Sequence, residues 1–126
     1  MKNSEIRKWQ SYAEDDLRTA EFLLKNKRPV VHTIFHCHES LEKYLKAVII
    51  YQKKAFPYTH DLEILLSVCT MEEKDELALS NIVIVLKNLY PLVRYPGADN
   101  VSNVNAREAV EKSLKAEKII LKYLRS

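Results

Sequence analysis

The chain has 126 residues, of which 47% are hydrophobic and 29% are charged, and its formal net charge is +3. This length and composition predict one folded domain over residues 1–126 and exclude a disordered tail. The small net charge permits a nucleic-acid partner without requiring one. The single glycine, Gly97, excludes a P-loop or Rossmann fold, because their phosphate-binding turns need several glycines.

Hydrophobic periodicity predicts two long helices in the first half of the chain. The first is expected from about Ser4 to Asn26, ending before Pro29, and the second from about Val30 to Lys53. The second helix is apolar over most of its circumference, which is typical of the central helix of a bundle. Its polar groups share a narrow strip that consists of His32, His36, Glu39, Lys43 and Lys46.

Three further helices are predicted after this central one. A short helix follows a Thr59 cap and ends near Cys69. A capping pattern at residues 70–73 starts a fourth helix, which Pro91 is expected to weaken or kink. A second capping pattern at residues 105–108 starts a fifth helix that runs to the C-terminus. The order of these elements predicts an all-α, up-and-down four-helix bundle with one additional short helix.

The N-terminus and the cysteines indicate a cytoplasmic protein. No apolar signal-peptide core is present, and the longest apolar runs fall well short of the roughly 20 residues that cross a bilayer. Cys37 and Cys69 lie in apolar stretches without CxxC spacing, so we expect two reduced thiols in the core. The sequence therefore predicts no membrane association.

The histidines of the second helix raise the question of a metal site. His32 and His36 are one helical turn apart, as in zinc sites, and Cys37, His38 and Glu39 are close to them in sequence. Only His60 follows downstream, however, and Lys43 on the same strip would repel a cation. We therefore expect no metal and no cofactor, and histidines that line a buried polar strip or a subunit interface.

Charged residues on the same helix have the spacing of ion pairs. Glu39 with Lys43, and Glu42 with Lys46, are both favourable i,i+4 arrangements. They indicate either a solvated charged face or a set of paired charges at an interface. No serine or cysteine has the sequence context of an activated nucleophile.

Two segments resemble the HEPN family, small all-helical prokaryotic proteins found beside nucleotidyltransferases. They are Phe35 to Ala47, with its Glu42-Lys43 and Lys46-Ala47 pairs, and Tyr58-Thr59-His60-Asp61-Leu62; an Arg94-Tyr95-Pro96 turn extends the resemblance. The resemblance implies a five-helix domain with a four-helix core, commonly a homodimer. It also implies one of two roles, a toxin ribonuclease or a nucleotide-binding partner of a minimal nucleotidyltransferase.

The ribonuclease members of the family carry an Arg-x4–6-His motif, and this chain departs from it. Arg94 is in the expected neighbourhood, but no histidine follows His60; Arg28 is too close to His32 and too far from His36. We therefore expect a non-catalytic protein that binds a nucleotide or polynucleotide. The chain also lacks the Gly-Ser and Asp-x-Asp elements of a nucleotidyltransferase, so that enzyme is expected as a separately encoded partner, in a toxin–antitoxin-like module.

The alternative is a metal-independent ribonuclease that uses Arg94 and His60. In either case the expected site is where the Arg94-Tyr95 turn meets the second helix, with Arg94 binding phosphate and Tyr95 stacking on a base. A purely structural alternative is that Arg94 caps the last carbonyls of the fourth helix. The remaining candidates add charge or orient the loop, and they are Lys43, Lys46, His60 and Asp61.

Overall fold

A computed structural model describes the backbone of residues 2–55, 57–94 and 101–125 and the side chains of residues 3–55, 57–90 and 101–125. These residues form five α-helices and no strand, which confirms the predicted all-α fold. The helices are α1 (Lys2–Lys25), α2 (Val30–Tyr51), α3 (Leu62–Val68), α4 (Glu73–Arg94) and α5 (Asn103–Leu121).

The four long helices run alternately up and down. At one end of the bundle, Tyr51 in the last turn of α2 donates its hydroxyl to the Arg125 carbonyl. At the same end, Asp75 in the first turn of α4 pairs with Lys122 just after α5. The C-terminal ends of α2 and α5 therefore meet the N-terminal end of α4, so α4 is antiparallel to both.

Helix α2 forms the centre of the bundle, as its apolar circumference predicts. Fourteen of its 22 residues are buried, and it packs against each of the other four helices. Its partner α1 presents a stripe of small and aliphatic side chains, and Ala13, Leu17 and Ala20 are completely buried there. Small residues allow the two helices to approach closely, and the Ser40 hydroxyl donates to the Ala13 carbonyl across the contact.

The turns after α1 and α2 share a feature that the sequence did not reveal. Lys27 and Lys53 have positive φ values of 54° and 62°, in the left-handed region where glycine is usual. In each turn the next residue donates its N–H back into the helix, from Arg28 to Leu23 and from Lys54 to Ile49. These hydrogen bonds close both helices, and they offset a backbone conformation that costs a non-glycine residue about 1–2 kcal/mol.

The predicted starts of three helices were wrong. The cap of α3 is Asp61, because its carboxylate accepts from two free backbone N–H groups, whereas the Thr59 hydroxyl accepts from Asp61 itself. Helix α4 begins only at Glu73, because the N–H and hydroxyl of Thr70 are already bonded to side chains that follow α2. Helix α5 begins earlier than predicted, with a capping box between Ser102 and Asn105, and it ends at Leu121 instead of running to the C-terminus.

Two other expectations concern the effect of the proline at position 91 on α4 and the state of the two cysteines. Helix α4 continues past position 91 to Arg94, because a proline removes one backbone hydrogen bond without preventing those that follow. Cys37 and Cys69 are free and buried, as predicted, and burial raises the pKa of each thiol to about 12. In the described part of the chain, no helix is long and apolar enough to cross a membrane.

Candidate functional site at the junction of α2, α3 and α4

The Glu42 carboxylate lies at the centre of a polar cluster on α2. Glu42 is only 3% exposed, and its Oε2 accepts hydrogen bonds from Lys46 Nζ at 2.9 Å and from His60 Nδ1 at 2.7 Å. A buried carboxylate needs charged or hydrogen-bonded partners to offset its lost hydration. The predicted Glu42–Lys46 pair is thus confirmed, and Glu42 also holds the loop that precedes α3.

Lys46 is buried together with its partner. Its ammonium group lies 5.3 Å from the centre of the Trp9 ring of α1, in addition to its contact with Glu42. Both the carboxylate and the face of the indole ring attract a cation. The charge of Lys46 is therefore compensated within the fold.

The His60 ring, unlike the Lys46 side chain, is largely exposed to solvent, although one of its nitrogens is hydrogen-bonded. Its side chain is 80% exposed, and Nδ1 contacts the buried Glu42 carboxylate. A carboxylate accepts a hydrogen bond, so Nδ1 carries the hydrogen and Nε2 is the nitrogen without a carboxylate partner in this contact. This geometry orients the imidazole towards the outside of the bundle.

Asp61, the next residue, has a structural task at the start of α3. Its Oδ1 accepts from the N–H groups of Glu63 and Ile64, and Lys87 of α4 approaches its other oxygen at 3.3 Å. Partial burial alone would raise the pKa of this carboxyl, but these hydrogen bonds outweigh it and lower the pKa. Asp61 therefore caps α3 and ties it to α4.

Lys43 does not form the predicted pair with Glu39. It reaches across to α1, where Asp16 Oδ2 is 2.5 Å away, and the other oxygen of Asp16 contacts His36 Nδ1 at 2.8 Å. Asp16 is thus shared between a lysine and a histidine of α2. The Glu39–Lys43 pair was predicted wrongly because the residue spacing along α2 gives no information about partners on a neighbouring helix.

Glu39 has His38 as its neighbour instead. The His38 Nδ1 atom lies 3.9 Å from Glu39 Oε2. The pKa of Glu39 is lowered, chiefly because of its interaction with the His38 ring. The polar strip of α2 is therefore divided between partners on α1 and partners on α2 itself.

Aromatic rings from α2 and α4 stack beside this cluster. The rings of His38 and Tyr90 are 3.8 Å apart with an interplanar angle of 23°, and Phe35 stacks on the same tyrosine at 6.3 Å. Phe35 is 39% exposed, whereas His38 is buried. Sequence reasoning missed Phe35 and Tyr90 as site residues, because they come together only when α4 packs against α2.

The remaining predicted residues lie at the end of α4. The helix ends at Arg94, one turn after Tyr90. The side chain of Arg94 and all of Tyr95 are outside the described residues. Of the six predicted residues, the structure thus brings Lys46 and His60 to one carboxylate, places Asp61 next to them, and directs Lys43 to α1.

Comparison with known proteins gives one family and one fold. The family model for the HEPN domain matches residues 6–126. Two solved structures share the fold: TT1696 from Thermus thermophilus, with a TM-score of 0.78 and 22% identity over 94% of this chain and 98% of that one, and ST0689, an archaeal HEPN homologue, with a TM-score of 0.74 and 18% identity over 95% and 98%. No curated protein matches the chain.

Proposed function

Because the chain belongs to the HEPN domain family, we propose that it is a non-catalytic module that binds a nucleotide or polynucleotide. We further propose that it acts as a homodimer with a separately encoded minimal nucleotidyltransferase, in a toxin–antitoxin-like module. The chain has none of the Gly-Ser and Asp-x-Asp elements that such an enzyme needs, so the chemistry belongs to the partner.

The observation that carries the binding proposal is the aromatic stack between α2 and α4. Phe35 exposes part of its ring and stacks on Tyr90, and α4 ends one turn later at Arg94. An exposed ring offers its face to a base, and a guanidinium group binds two phosphate oxygens at once. Tyr95, next in the chain, supplies a second ring for stacking.

Lys43 and Lys46 have a supporting role in this proposal. Their charges are offset by Asp16 and Glu42, so they add little net positive charge at the surface. Lys43 fixes α2 against α1, while Lys46, through Glu42, helps to hold the loop of His60 and Asp61. We expect His60 to contact the ligand at the edge of the site, and Asp61 to keep α3 in place.

Fluorescence anisotropy with a labelled single-stranded RNA and with a labelled ATP analogue tests the binding proposal. Base stacking contributes about 1–3 kcal/mol per base, so Phe35→Ala is expected to weaken binding by roughly 5- to 150-fold. The control is Phe22→Ala, which removes a ring that is 63% exposed on α1. Equal affinity of wild type and Phe35→Ala, with both variants folded by circular dichroism, would contradict the proposed site.

Partnership and self-association need separate measurements. Affinity purification at native expression level, followed by mass spectrometry, is expected to recover a small nucleotidyltransferase together with bound nucleotide. Sedimentation of the purified chain is expected to give twice the mass of 14.7 kDa. Recovery of cleaved RNA without a nucleotidyltransferase would instead favour the second candidate function.

That second candidate is a metal-independent ribonuclease, and the Glu42–His60 pair favours it. A carboxylate that holds Nδ1 of a histidine leaves Nε2 in position for proton transfer. The chain lacks the Arg-x4–6-His spacing of the family ribonucleases, so Arg94 would have to act with His60 from a different part of the fold. RNA cleavage that His60→Ala and Arg94→Ala each reduce by about 10²- to 10⁴-fold would establish this function.

A further inference from the structure

Three side chains of the types that bind metal ions lie close together on α2, next to His60. His38, Glu39 and Glu42 each have a ligand atom within 4.8 Å of the other two. His38 and Glu42 are four residues apart, so they lie on the same face of the helix. Glu39 approaches them from the next position, with Oε2 at 3.9 Å from His38 Nδ1.

Among the residues that the structure describes, two buried atoms of this group have no hydrogen-bond partner. They are His38 Nδ1 and Glu42 Oε1, and the side chains that carry them are each only 4% exposed. A buried polar atom without a partner costs about 1–3 kcal/mol, and more for a charged group. Native proteins satisfy nearly all such atoms, so two in one cluster indicate a ligand that binds both.

We propose that His38, Glu39 and Glu42 bind a divalent transition-metal ion. One imidazole nitrogen and two carboxylate oxygens form a mixed donor set of the kind that binds zinc. Metal–ligand distances of about 2.0–2.2 Å require the three ligand atoms to close to roughly 3.4 Å from one another. Glu39 is half-buried and can make this adjustment by side-chain rotation. The fourth coordination position is left for water or for a ligand.

The surrounding charges are compatible with a bound cation. Sequence reasoning counted Lys43 as a repulsive neighbour, but its charge is offset by Asp16 on α1. Lys46 contacts Oε2 of Glu42, and Oε1 is the oxygen that remains for the metal. Lys46 and His60 would thus hold the carboxylate from behind, as outer-shell partners do in established metal sites. Glu39 and Glu42 supply two carboxylates, and Lys46 offsets only one of them, so the site keeps an excess negative charge.

The proposed site is independent of the nucleotide-binding proposal. It needs neither Arg94 nor the Phe35–Tyr90 stack, and zinc binding can be measured without nucleotide or partner protein. Failure of RNA or ATP binding therefore leaves the metal proposal unaffected. Failure of zinc binding likewise leaves the nucleotide-binding proposal unaffected.

Isothermal titration of the full, tag-free chain with zinc sulfate, after treatment with a chelator, tests the proposal. We expect one zinc ion per chain, and at least tenfold weaker binding for His38→Gln, because loss of even an outer-shell partner costs 10–100-fold. The matched control is His36→Gln, which removes a histidine of the same helix that contacts Asp16 instead. Absence of saturable binding in the wild type overturns the proposal, as does equal affinity of His38→Gln and the wild type.

A measurement on the wild type alone tests the proposal even if the His38 variant does not fold. In ¹⁵N-detected spectra of the histidine rings, zinc is expected to shift a ring nitrogen of His38. A shift confined to His32, His36 or His60 identifies surface binding and overturns the proposal. Glu39→Gln, at a half-buried position, is expected to weaken binding as well, and unchanged affinity of this variant overturns the proposed three-residue site.

Discussion

The hydrogen bond between Tyr44 and Glu117 makes a quantitative prediction about stability. Tyr44 is 1% exposed in the core, and its hydroxyl donates to Glu117 Oε2 at 2.5 Å. The other oxygen of Glu117 accepts from Arg18 Nη2 at 2.8 Å, so one carboxylate joins α1, α2 and α5. Burial, followed by this hydrogen bond, raises the pKa of Tyr44, which keeps the phenol protonated and able to donate.

Tyr44→Phe removes this hydroxyl without opening a large cavity. A hydrogen bond to a charged group contributes about 1.5–3 kcal/mol, so we expect the free energy of unfolding to fall by about 2 kcal/mol. For a domain of this size the melting temperature should then drop by roughly 8 °C. Urea unfolding followed by circular dichroism measures the first quantity, and calorimetry measures the second.

The control for this prediction is Tyr58→Phe, because Tyr58 is fully exposed and the same chemical change should have almost no effect there. A double-mutant cycle with Glu117→Gln isolates the pair. In the Glu117→Gln background, Tyr44→Phe should cost less, since the acceptor is then neutral. If Tyr44→Phe and Tyr58→Phe have the same stability, or if the cycle shows no coupling, the Tyr44–Glu117 bond does not stabilise the bundle.

Two further predictions concern aspartates at helix starts. Hydrogen bonding from Tyr123, and then from Lys122, lowers the pKa of Asp75 below the ordinary value of 3.8. This carboxylate therefore stabilises the fold above about pH 3.8, and its contribution is lost as the pH falls through the lower folded-state pKa. Asp75→Asn should accordingly reduce the free energy of unfolding at pH 7, and the reduction should shrink in acid. A reduction that is the same at pH 7 and pH 2 would disprove the role of this carboxylate. At the cap of α3, Asp61→Ala should cost about 0.5–2 kcal/mol in urea unfolding, whereas Asp61→Asn, which caps equally well, should cost much less. Equal losses for the two Asp61 variants would assign the effect to the ion pair with Lys87 instead of the cap.

Some of the candidate site was predictable from spacing within one helix. Glu42 and Lys46 are four residues apart on α2, and they form the expected pair. Glu39 and Lys43 have the same spacing but do not pair, because Asp16 on α1 offers Lys43 a closer carboxylate. A helical spacing shows which side chains can meet, but it does not show the competing partners on other helices.

The residues that define the centre of the cluster depended on contacts between elements. His60 was a candidate from its place in the Thr-His-Asp-Leu segment, yet its hydrogen bond to Glu42 spans 18 residues of sequence. Tyr90 was not a candidate from the sequence, and its stack on His38 spans 52 residues. No local pattern marks such pairs, since they arise from the way α3 and α4 pack on α2.

The sequence by itself determined the helical class and the central position of α2. Apolar residues recur at the helical period along α1, α4 and α5, and they surround α2 almost completely, so only a bundle that covers α2 from all sides can bury them. The tertiary structure alone decided which charges are compensated inside the fold and which atoms are left without partners. Lys43, Lys46, His38 and Glu42 are ordinary polar residues of one helix in the sequence. Their roles diverge because α1 offers an aspartate to one lysine, the α3 loop offers a histidine to Glu42, and nothing among the described residues bonds to His38 Nδ1.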